Sequence, residues 1–223
     1  MSRNNRAFTI VELMLAMSVL SMLLLAIAML VIQIGQIYNK GVTLKSLNQA
    51  ASVVSKDIQS TLGQADASAV KVVASLPGTN GSGRMCTGTI TYAWNTARDT
   101  SAQVSTRNKY SGADAGKEIR LARIDDKGGN LCDLDIASNS YAPIDHTKSR
   151  EMLPTSQYDF AVHDLYIGSN PSDLTLHWVV MKIGSTNISD TNLTTQQCLV
   201  GTGVGDYCGI STFEFTSKSN SEV

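Results

Sequence analysis

Between Leu13 and Asn39 the chain carries no charged side chain, and the twenty residues from Leu13 to Ile32 are interrupted only by Ser18 and Ser21. A helix of that length rises about 30 Å, the thickness of a bilayer's hydrocarbon core. From Lys40 onward the sequence is polar and mixed. The layout therefore predicts one hydrophobic anchor followed by one soluble domain, in a chain of 223 residues that is long enough to bury a real core. Lys and Arg number 18 against 19 Asp and Glu. That balance excludes a strongly basic nucleic-acid binder and a highly charged disordered chain.

The N-terminus does not read as an ordinary secretory signal. Such a signal has a basic start, a short apolar run and then a small-residue cleavage site. Here Arg3 and Arg6 supply the basic start, but the small residue, Ala7, precedes the apolar run. An uncleaved signal anchor is the plain alternative, and Glu12 argues against it. A carboxylate inside a membrane segment costs a few kcal/mol near the centre and less near an end, and such groups are usually paired. Cleavage between Ala7 and Phe8 would create an α-amino group one helical turn before Glu12. Arg3 and Arg6 place the short N-terminal flank in the cytoplasm and everything after the span outside it.

The run Arg6-Ala7-Phe8-Thr9-Ile10-Val11-Glu12-Leu13-Met14-Leu15-Ala16 resembles the class III signal of type IV pilins and type II secretion pseudopilins. The resemblance implies cleavage by a prepilin peptidase between Ala7 and Phe8, N-methylation of Phe8, and a role for Glu12 in assembly. Ala7 stands where the family usually has Gly; it is still small, so cleavage is expected. The implied division is a leader over 1–7, a membrane and filament-core helix over 8–39, and a head over 40–223.

Beyond the membrane, Leu44, Leu47, Ala51, Val54, Ile58 and Leu62 recur at helical spacing opposite Lys45, Asn48, Ser52, Lys56 and Gln59. This predicts an amphipathic helix continuous with the first, from Phe8 to Leu62, about 80 Å long. Gly35 and Gly41 suggest a flexible joint, and Gly63 a stop. Pro77 to Gly83 reads as loop. Strands are predicted at 89–94, 118–124, 158–167, 173–183 and 213–216, with 118–124 and Leu131–Leu134 joined as a hairpin across the turn at 125–130. One helix followed by a run of strands gives an α+β class, an antiparallel sheet on a long helix. The type IV pilin fold implied by the resemblance has the same form. The pieces Ile90-Thr91-Tyr92, Ile119 to Arg123, Val162 to Tyr166 and Thr212 to Phe215 further resemble PilW-like minor pilins and pseudopilin J of type II secretion.

Cys86, Cys132, Cys198 and Cys208 all fall in the part placed outside the cytoplasm, where disulfides persist. Four cysteines allow three pairings; we favour Cys86–Cys132 with Cys198–Cys208. The rival, a zinc site, lacks any C-x-x-C spacing or a nearby His. His146, His163 and His177 are isolated and read as packed or surface residues. Asp125, Asp126 and Asn130 flank Gly128-Gly129 without EF-hand spacing, so a solvated turn is the better reading than a calcium loop. Asn187 and Asn192 sit in glycosylation triplets. No nucleophile elbow, metalloprotease helix or phosphate-cradling loop is present, and Ser211 and Ser217 have no evident partners. The sequence therefore predicts no enzyme, no cofactor and no metal.

The resemblance implies a structural subunit: a minor pilin that primes or caps a type IV pilus. The other readings are a minor pseudopilin of type II secretion and a pilus-tip adhesin or DNA-uptake receptor. The implied partners are other major and minor pilins, the prepilin peptidase, the assembly platform of the inner membrane, and membrane lipid before assembly. The implied location is the bacterial inner membrane as a single-pass protein, then an extracellular filament or its tip. Without Arg3 and Arg6, two of the 18 basic residues, 16 remain against 19 acidic side chains, a net of −3 that disfavours nucleic acid, although Arg98, Arg107 and Lys109 could form a local basic patch.

Overall fold

The computed structural model describes residues 9–74, 81–98, 108–128, 130–133, 142–153, 159–170, 172–186, 191–192, 195–199 and 208–220. Helix α1 is continuous over Ile10–Gln64, 55 residues or about 82 Å of rise. Its start is set by Thr9, in extended conformation, whose hydroxyl accepts the Glu12 amide at 3.3 Å. Neither Gly35 nor Gly41 interrupts the helix, and a Cβ built on either meets nothing within 4 Å. The helix runs one residue past Gly63 and closes with Ala65 N–H donating to Leu62 O.

The two halves of α1 differ as their sequences do. Every large apolar side chain from Ile10 to Tyr38 is exposed. This is the surface of a helix that is long and apolar enough to cross a membrane. Its two serines carry no cost there, because Ser18 Oγ donates to Leu15 O and Ser21 Oγ to Met17 O, each at 2.8 Å. From Thr43 onward one face is buried: Leu47, Ala51, Val54, Ile58 and Leu62 are fully covered.

Two antiparallel sheets cover that face. The first is a five-stranded meander in sequence order: β1 (Lys71–Ala74), β2 (Gly83–Cys86), β3 (Ile90–Trp94), β4 (Leu121–Asp125) and β5 (Ser149–Glu151). The second holds β6 (Phe160–Asn170), β7 (Asp173–Ser185) and β10 (Ile210–Lys218), with β7 central. A small pair, β8 (Thr191–Asn192) and β9 (Gln197–Cys198), completes the strands among the described residues. A parallel bridge between Thr96 and Val162 joins the two main sheets. Met85, Tyr92, Trp94 and Leu121 from the first sheet and Phe160, Leu165, Val179, Met181 and Ile183 from the second share one core with the helix stripe. Strand β10 lies along α1, from Gly209 beside Leu44 to Lys218 beside Gly63. Nine residues of strand and nineteen of helix each advance about 30 Å, so the two run in step.

Three sequence expectations need correction. The hairpin of 118–124 with Leu131–Leu134 does not form: β4 pairs with β3 and β5, and Asn130–Cys132 is a 3-10 turn. Leu131 has no backbone groups to spare for a ladder, since its N–H donates to Asp126 Oδ2 and its carbonyl accepts from Arg84. Residue 134 lies outside the described residues. The strand starts at Leu121 rather than 118 because the Glu151 carboxylate takes the N–H groups of Arg120 and Leu121, at 3.1 and 2.8 Å. The loop expected to extend through Gly83 ends sooner. Gly83 opens β2, buried and paired with Trp94, while 75–80 lie outside the described residues.

At Gly168 the glycine is required by close approach: a Cβ there would stand 2.4 Å from the indole of cross-strand Trp178.

Acidification is expected to destabilise the head. His163 is buried, its Nε2 held 3.0 Å from Ser185 O with Lys182 nearby, and burial pushes the imidazole below its ordinary range. His177, between Ser169 and Ser219 with Asp173 near, shifts the same way through burial. The folded state thus binds fewer protons than the unfolded chain, so stability is lost as pH falls below the ordinary His value of about 6.5. Glu151 and Asp164, raised by burial, oppose this only nearer the carboxylate range. Thermal unfolding of the full chain in detergent should fall by a few degrees from pH 7.5 to 5.5, with a smaller fall in His163→Gln.

Candidate functional site

The N-terminal end of α1 presents a Thr-x-x-Glu capping box. The backbone N–H and hydroxyl of Thr9 both donate to Glu12 Oε2, each at 2.9 Å, while the Glu12 amide returns a bond to the hydroxyl. The apolar environment that makes an isolated carboxylate costly is thereby met partly from within the chain. One carboxylate oxygen is engaged, and the group is fully at the surface of the helix, free to take a cationic donor. Sequence reasoning does not single out Thr9 as a partner; the Thr9–Glu12 spacing is the signal that carries it. Ala7 and Phe8, the residues at the expected cut, lie outside the described residues.

In the head, Cys86 is joined to Cys132 and Cys198 to Cys208, with Cα separations of 6.0 and 5.8 Å. The first ties β2 to the 3-10 turn; the second closes a short loop before β10. The chain-entropy model assigns the longer loop about 4 kcal/mol and the shorter about 2.7 kcal/mol. Replacing both Cys86 and Cys132 with Ala should therefore lower the melting temperature by about 8–16 °C. The Cys198/Cys208 double variant should lose less. Differential scanning calorimetry of the full chain in detergent checks both.

The remaining candidate residues do not converge. Asp126 Oδ2 accepts from Thr91 Oγ1 at 2.8 Å and from Leu131 N at 3.2 Å. Half-buried, it therefore braces a turn whose neighbours Asp125 and Lys127 are exposed. His146 stacks edge-on against Tyr110 and lies 3.5 Å from Asp114. Ser217 Oγ donates to Gln59 O. Asn192 caps its own turn by accepting from Thr195 N; Asn187 lies outside the described residues, as does Arg107 of the basic patch. Among the described residues no group of three His, Cys, Asp or Glu side chains could hold a metal ion.

Two buried polar clusters escape the sequence reading. Arg84, fully buried on β2, donates to Asn108 Oδ1 (2.6 Å), Leu131 O (2.7 Å) and Ala142 O (2.5 Å). Asp57 and Thr61 of α1 meet the hydroxyl of Tyr92 at 2.5 and 2.7 Å. Burial first, then the Asp57 bond, pushes that phenol above its ordinary range.

Residues 2–28 match the family model described as the prokaryotic N-terminal methylation motif. Comparisons with curated proteins and with solved structures returned no match. With that motif at its N-terminus, and a long apolar helix packed on antiparallel sheets behind it, the chain has a type-IV-pilin-like fold.

Proposed function

We propose that the chain is a PilW-like minor pilin, made as a precursor in the bacterial inner membrane and assembled into a type IV pilus as a priming or capping subunit. The observation that carries this is the methylation motif over 2–28, with Glu12 at the exposed start of an apolar helix. In this reading residues 1–7 are a cytoplasmic leader, 8–39 the membrane and filament-core helix, and 40–223 the head outside the cytoplasm. A prepilin peptidase cuts between Ala7 and Phe8, and the new amine of Phe8 is methylated. The leader holds two of the 18 basic residues and none of the 19 acidic ones, so its loss takes the net charge from −1 two units further negative.

On extraction from lipid, the exposed face of Ile10 to Tyr38 packs among the helices of other major and minor pilins on the assembly platform. Glu12 keeps its Thr9 bonds and takes the Phe8 amine of a neighbouring subunit. A carboxylate left alone in an apolar bundle is strongly unfavourable, so the pair fixes axial register as well as neutralising charge. The head contributes contacts through its side chains and brings no chemistry of its own.

Sheared surface filaments from native cells, blotted for this chain and for the major subunit, test the minor role. A signal far below one copy per major subunit is expected. A chain confined to the inner membrane, or present at parity, contradicts it.

A further inference from the structure

The apolar stripe of α1 does not by itself specify where the helix sits on the head. Sliding the helix by four residues places Thr43, Leu47, Ala50, Val54 and Ile58 at the sites of Leu47, Ala51, Val54, Ile58 and Leu62. Four of the five stay apolar, so the apolar pattern alone does not exclude the slipped register, although Leu47 at the small Ala51 site costs about 1–3 kcal/mol in overpacking. The polar contacts do distinguish them. The Tyr92 hydroxyl, fully enclosed on β3, touches Asp57 and Thr61, two residues one turn apart on the helix. Arg123, cross-strand from Tyr92 on β4, brings Nε to 3.2 Å from Asp57 Oδ2. On the other side Ser217 Oγ donates to Gln59 O at 3.1 Å, and Gln59 Nε2 to Thr216 O at 3.4 Å. A one-turn slip in either direction sets Arg123 against Val53 or Thr61 in place of Asp57 and breaks the two-residue grip of Tyr92.

We infer that Asp57, Thr61, Tyr92 and Arg123 form a register lock: a partly buried polar cluster that selects one axial position of the head on a helix whose apolar stripe permits two. Buried polar groups act in this way in helical coils, where a polar residue at one core position excludes competing registers. The consequence is geometric. The lock sets the height of the head above the apolar half of α1, one turn being about 6 Å for four residues. It stands on contacts between helix and sheet and does not depend on the filament reading.

The test is a distance measurement on the full chain in detergent micelles. All four native cysteines are in disulfides, so spin labels can be placed at Lys45→Cys on the helix and Lys218→Cys on the head. Both sites are exposed and well separated along the helix axis. The unaltered cluster should give one narrow distance. The variant Asp57→Ala with Tyr92→Phe keeps helix propensity and the buried ring, and should show a second population of about 10% or more displaced by about 6 Å. Tyr92→Phe alone, which retains the ring packing, decides the matter if the double variant does not fold. The comparison variant Ile58→Val loosens the core without touching the cluster and should keep the single distance. One unshifted distance in the cluster variants, or a second population in Ile58→Val as well, overturns the inference.

Discussion

Glu12→Ala is expected to remove the chain from sheared filaments, by at least about 10-fold, while its insertion in the inner membrane stays intact. In the proposed membrane state the carboxylate sits at the end of the span and is bonded to Thr9, so losing it removes only the reciprocal half of the capping box, about 1 kcal/mol or less, while Thr9 still caps a helix of 55 residues. The span itself, Leu13 to Ile32, is untouched. In the proposed helix bundle the substitution leaves the neighbouring subunit's N-terminal amine facing a methyl group where the Glu12 carboxylate stood, and a charge stranded in an apolar core costs several kcal/mol. Glu12→Gln should fall between the two, because it can still close the capping box but cannot neutralise the amine. Immunoblots of the filament and membrane fractions read both effects. Normal incorporation of Glu12→Ala would remove the pairing mechanism.

The second large effect is expected in the head. Arg84→Met should destabilise it by about 3–5 kcal/mol, or about 6–20 °C in melting temperature. The guanidinium is fully buried and reaches three segments that are distant in sequence: Asn108, Leu131 and Ala142. Asn108 in turn donates to Gly83 O and Trp94 O, and Asn95 holds the backbone of Asn108. Methionine fills the stem of the cavity but leaves three acceptors without their donor, each a desolvated polar group without compensation. Arg84→Lys keeps the charge but a single ammonium does not reproduce the fork, so it should recover only part of the loss. Calorimetry of the full chain in detergent separates the three proteins. Equal stability of Arg84→Met and wild type would show that the acceptors rearrange at little cost.

The physical reasons for what was and was not legible in the sequence lie in individual elements. Helix α1 was readable because its period runs unbroken, apolar on all sides to Tyr38 and on one stripe from Leu44. Strands β6 and β7 were readable because long β-branched and aromatic runs alternate. Strand β2 was not: Gly83-Arg84-Met85-Cys86 is wholly buried, yet a glycine and an arginine in four residues carry no strand signal. Its arginine is inside only because three remote segments supply acceptors, which no local pattern announces. Strand β5, Ser149-Arg150-Glu151, is polar throughout and exists through its ladder to β4. Strand β10 extends past Phe213–Thr216 at both ends because β7 offers partners for Ser211 and Ser217. At the N-terminus the charge of Glu12 against the apolar run after it is a strong signal, whereas the role of Thr9 rests on a three-residue spacing inside the larger motif.

On the proposed reading, residues 1–7 are a leader removed before assembly. Intact mass and N-terminal sequencing of the chain from its native membrane, with and without the prepilin peptidase, address it most directly. A chain starting at N-methylated Phe8 is expected in peptidase-competent cells, and one retaining Arg3 and Arg6 when the peptidase is absent. A chain beginning near Met1 in both would contradict it and return the segment to a plain signal anchor.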